Sequence, residues 1–132
     1  MNKICTFIEQ SKKLIELGID VNTADMFWDT AEPNERRKPL VGPVSDYCDM
    51  EDWAVPAWSL TALLSILPMH IIINGSMYKF SMVKGFNKNG ESYVIKYNIF
   101  NTTFYLHLTN FYNDPIDTCV EMIVWLKESK RI

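Results

Sequence analysis

Between residues 69 and 109 apolar and polar side chains alternate almost without interruption. Tyr78, Phe80 and Met82 share one parity, as do Tyr93, Ile95, Tyr97 and Ile99, and then Phe104, Leu106 and Leu108. A period of two sends successive side chains to opposite sides of a sheet. The pattern predicts strands at about 70–73, 77–84, 91–99 and 103–109. Asn74-Gly75 supplies the positive backbone angles of a tight hairpin, Asn87 to Gly90 turns the chain again, and Asn101-Thr102 turns it a third time. Connections this short make the strands antiparallel neighbours. One face of this meander is apolar. The other parity carries Lys79, Lys96, Tyr105 and His107.

Helical spacing takes over on both sides of the meander. Ile4, Phe7, Ile8, Ser11, Leu14 and Ile15 form a stripe, Thr6 and Glu9 stand at capping-box spacing, and Gly18 suits a C-terminal cap, which predicts a helix over about 5–17. Asn22 or Thr23 is placed to cap a short helical turn that buries Met26, Phe27 and Trp28. Pro33, Pro39, Gly42 and Pro43, with the cluster Glu35 to Lys38, read as a long mobile loop at about 33–45. Asp46 to Ala54 suits a short strand or turn. Leu60, Leu63, Leu64 and Leu67 then make a second helix that Pro68 ends, and Asp114-Pro115 opens a third with Ile116, Cys119, Val120, Ile123 and Leu126 on its core side. Strands grouped in a run between helices indicate an α+β class. The expected architecture is a two-layer domain spanning 1–132, its four-stranded antiparallel meander covered on one face by the N-terminal, middle and C-terminal helices.

Composition supports a packed core: 132 residues, 48% hydrophobic and 13% aromatic. A net charge of -3 argues against nucleic acid as the main partner. The charge is unevenly spread, however. Residues 57–113 hold Lys79, Lys84, Lys88 and Lys96 against Glu91 alone, so the sheet is mildly basic and the remainder acidic. Lysines on strand edges and solvent faces also serve simply to prevent aggregation. Cys5, Cys48 and Cys119 are too few and too scattered for a disulfide framework or a zinc site, and they fit a reducing compartment. The first residues lack an apolar run of signal-peptide length, and the apolar patches are too short to span a bilayer, so a cytoplasmic protein without membrane association is expected.

Candidate chemistry is sparse. Asp46, Asp49, Glu51 and Asp52 could hold a hard cation, but their spacing matches no calcium loop and a solvated turn explains them equally. No cofactor motif or catalytic constellation stands in the chain; the single histidines His70 and His107 have no evident nucleophile or base beside them. Trp53 and Trp58 flank Pro56, where aromatics form either a groove for a partner or a lid over the core. Lys79, Lys96, Tyr105 and His107 could receive a single strand of nucleic acid on the sheet, although the aromatic signature of such readers falls on the buried parity.

Several phrases carry a resemblance. Glu9 to Asp20, Asn22 to Met26, Pro56 to Leu64, and a closing Asp117 with Glu121 to Leu126 occur in this order. Together they resemble a family of small uncharacterised proteins of phages and mobile elements in gut Bacteroidetes. The resemblance is carried by the helices and is weak over 69–109. It implies a setting, an accessory protein of a phage or integrated element, and no activity or site residues. Acidic composition, abundant aromatic residues and the lack of a clustered nucleophile, base or metal set make the expected function a non-catalytic protein-binding module that meets another protein through the Pro-rich loop with Trp53 and Trp58, with a second copy of the chain as a further partner for an open sheet face or edge. The rivals are a metal-dependent hydrolase using the 46–52 cluster and single-stranded nucleic-acid binding on the sheet.

Overall fold

The computed structural model describes residues 3–42, 54–100 and 102–132. The class is α+β, with three α-helices and two antiparallel sheets. The chain divides into two units, Lys3–Ile66 and Leu67–Ile132.

In the first unit, α1 (Ile8–Glu16) is followed by β1 (Met26–Asp29), β2 (Pro39–Val41), β3 (Ala54–Ala57) and α2 (Leu60–Ile66). The strands form a sheet of order β2-β1-β3. This sheet corrects the sequence reading. Met26, Phe27 and Trp28 lie in a strand, and the helical turn before them, Val21–Thr23, is capped by Asp20, whose Oδ1 accepts from the Asn22 amide at 2.9 Å. The stretch read as a loop at 33–45 contains, in its described part, a 3₁₀ turn at Asn34–Arg36 and strand β2. Proline explains the strand order. It cannot donate to a ladder, so Pro39 and Pro56 sit in the two edge strands, and proline-free β1 takes the centre.

The N-terminus of α1 departs from the expected box. Phe7 is the capping position, and the Gln10 side chain accepts from its amide at 2.9 Å. Thr6 turns inward instead. Its hydroxyl lies 2.8 Å from the Ser11 hydroxyl and accepts from the Trp58 amide at 3.1 Å, so three buried polar groups satisfy one another. Helix α1 packs on β3, and Leu14, Phe27, Trp58 and Leu63 are fully buried.

The second unit follows the predicted meander closely: β4 (His70–Ile73), β5 (Ser76–Asn87), β6 (Gly90–Ile99) and β7 (Tyr105–Leu108), in the order β4-β5-β6-β7. Asn74 and Gly75 take φ of 51° and 83° at the first hairpin, as a two-residue turn demands. Helix α3 (Pro115–Glu128) starts at Asp114, whose Oδ1 accepts from the Ile116 amide at 2.9 Å, and packs on β6. Ile95 and Tyr97 from the sheet, with Cys119, Ile123 and Leu126 from α3, are buried together in this unit's core. The Phe80 and Tyr97 rings meet edge to face at 5.8 Å, and the Tyr97 hydroxyl donates to the Pro68 carbonyl at 2.7 Å.

One irregularity matters for function. Tyr97 faces His107 and Asn98 faces Tyr105, which leaves Leu106 without a partner in a β-bulge. The alternation on β7 is broken at that point.

Candidate functional site

Cross-strand register places residues on a common face, because directly opposed side chains point the same way. His70, Lys79, Asn98 and Tyr105 form one such row, with one residue from each strand of the four-stranded sheet. Beside it, Ile72 opposes Met77, and Phe100 follows the end of β6, two positions beyond Asn98. On the other side Ser81, Lys96 and Leu108 make a third row. The first two rows are open to solvent. Ile72 is 61% exposed, Met77 43%, Phe100 67% and Tyr105 56%. The Lys79 ammonium stands 5.3 Å from the centre of the Phe100 ring, a cation–π contact.

No carboxylate belongs to these rows. Glu91, the acidic residue of the meander, opposes Phe86 on the other parity and pairs with Lys84 at 3.2 Å. The whole second unit has seven Lys or Arg against five Asp or Glu, whereas the first has six against eleven. The basic excess read from the sequence is thus concentrated in the unit that displays the open aromatic side chains.

Lys79, Lys96 and Tyr105 share the face foreseen for them. His107 does not, and this is a correction with a clear cause. The bulge at Leu106 reverses the parity of β7, so that His107 opposes the buried Tyr97. Its ring stacks on Trp125 of α3, and Nε2 lies 3.5 Å from Glu121 Oε2 without hydrogen-bond geometry. Glu121 also accepts from the Tyr112 hydroxyl at 2.8 Å and from the Asn110 amide at 3.2 Å. Burial, followed by the bond to Glu121, raises the Tyr112 phenol above its ordinary range.

Trp58 is 0% exposed, and its indole donates to the Thr23 hydroxyl at 2.9 Å. It acts as the lid over the core and not as a contact residue. Trp53, Cys48 and the carboxylates Asp46, Asp49, Glu51 and Asp52 lie outside the described residues. Among the described residues no group of three His, Cys, Asp or Glu could hold a metal ion. The thiols of Cys5 and Cys119 are buried, and desolvation pushes them up to about 11 and about 12, so at neutral pH both are inert thiols.

Phe100, Ile72 and Met77 were missed as site residues in the sequence. The available signal was parity, since Phe100 lies two and four positions beyond Asn98 and Lys96, and the Lys79 ammonium over its ring places it on that face. Among the described residues no helix is long and apolar enough to cross a membrane. No protein-family model, curated protein or solved structure matches the chain.

Proposed function

We propose that the chain is a non-catalytic binding module, an accessory protein of a phage or mobile element, whose contact surface is the exposed part of the four-stranded sheet that carries the His70 and Ile72 rows. One observation carries this reading: Ile72, Met77, Phe100 and Tyr105 stand exposed side by side on rows without a carboxylate. Contiguous exposed apolar side chains on a folded domain mark interaction surfaces, because leaving them in water forgoes roughly 25 cal/mol for each Å² that a partner would cover. The accessory setting is supported by the resemblance read in the phrases Glu9 to Asp20, Pro56 to Leu64 and Glu121 to Leu126.

Affinity capture tests the surface without assuming the partner. The chain and its Met77→Glu/Phe100→Glu variant are immobilised and exposed to gut-bacterial lysate. Both positions are exposed, so the variant is expected to keep its circular-dichroism spectrum. A protein or nucleic acid retained by the chain and lost by the variant supports the reading. Identical retention profiles overturn it.

A further inference from the structure

Resting on that reading of the sheet face, we infer that its ligand is a short stretch of single-stranded nucleic acid, bound across β4 to β7. Three features of the rows point to this chemistry together. Lys79 and Lys96 supply positive charge with no opposing carboxylate on the face, which suits a polyanion. Phe100 and Tyr105 present exposed rings, which suit planar groups that can stack. His70 and Asn98 add hydrogen-bonding groups on either side of Lys79, in direct register with it. An acidic protein surface would satisfy the lysines and leave the ring faces unmatched. A duplex would offer phosphates but keep its base faces stacked within itself. A single strand offers both.

The dimensions agree. Neighbouring strands lie about 4.8 Å apart, so the row from His70 to Tyr105 spans about 14 Å, room for two or three splayed bases of the kind that sheet faces hold. The Lys79–Phe100 contact holds a cation beside one stacking platform, where a base and its phosphate would arrive together. Two lysines imply modest affinity with a shallow salt dependence: about -0.7 per neutralised phosphate gives a slope near -1.4 in log K against log salt.

Fluorescence anisotropy of the full chain with labelled twelve-nucleotide dT, U and duplex probes, at about 20 to 200 mM salt, tests the inference. Binding of a single strand above the duplex is expected, with the stated slope. Lys79→Gln with Lys96→Gln should flatten the slope. Phe100→Ala and Tyr105→Ala should each weaken binding roughly 5- to 150-fold, the loss expected for one stacked base. Stronger retention of U than of dT assigns the strand to RNA, and the reverse to DNA. Heparin binding as tight as either strand, or undiminished binding by the Phe100→Ala/Tyr105→Ala variant, overturns the inference as non-specific attraction. Absence of any anisotropy change at low salt also overturns it. If a protein is nevertheless captured through Met77 and Phe100, only the ligand class falls and the contact surface stands.

Discussion

The imidazole of His107 lies face to face with the indole of Trp125, ring centroids 4.4 Å apart and planes 5° from parallel. The pair ties the edge strand β7 to α3 and depends on the bulge that turns His107 toward the helix. A stacked pair contributes about 0.5–1.5 kcal/mol beyond the area it buries. In a double-mutant cycle with His107→Ala and Trp125→Ala, followed by urea denaturation, a coupling of that size is expected. Additive losses would show that the rings merely touch.

Thr6 and Ser11 make a second testable pair. Thr6→Val keeps the shape but removes the hydrogen-bond partner of the Ser11 hydroxyl and the acceptor of the Trp58 amide, both buried. An orphaned buried polar group costs about 1–3 kcal/mol. Adding Ser11→Ala removes one orphan, so the double variant should be less destabilised than the sum of the two single variants. Denaturation midpoints of the four proteins decide it.

Cys5 and Cys119 predict a pH dependence. Both thiols titrate higher in the folded chain, at about 11 and about 12, than the ordinary 9.0. The unfolded chain therefore releases these protons first as pH rises. Their contribution to stability is complete below about pH 9 and declines between about 9 and 12. Urea midpoints should fall across that alkaline window. At pH 8 iodoacetamide should leave both residues unmodified in the native chain and alkylate both in urea, as read by peptide mass mapping.

Gly75 and Gly85 should respond oppositely to alanine. Gly75 has φ of 83°, so a Cβ there is strained although nothing lies within 4 Å. Gly85→Ala would place a Cβ 3.7 Å from Ser92 Oγ, an ordinary contact. Gly75→Ala is expected to cost about 1–2 kcal/mol. Gly85→Ala should be neutral or gain up to about 1 kcal/mol from reduced freedom of the unfolded chain. Thermal melts of the two variants check the contrast.

The long strands were legible because alternation over β5 and β6 is reinforced by turn residues at both hairpins. Strands β1 to β3, of three or four residues, are too short for a period to emerge, and two of them contain proline. Thr6 matched a capping pattern while being drawn inward by Ser11 and Trp58, a tertiary preference that local spacing does not encode. The shared face of Lys79, Lys96 and Tyr105 followed from parity. The placement of His107 did not, because a one-residue slip in hydrogen bonding leaves no mark on the hydrophobic pattern.

That slip has a geometric consequence. Leu106 is a spare link: excising it would restore an unbroken ladder in which Tyr105 still opposes Asn98 and His107 still opposes Tyr97. A strand of the present length without the irregularity would instead swing the Tyr105 ring round toward α3. One extra residue thus lets a single short strand offer Tyr105 to one side of the sheet and His107 to the other.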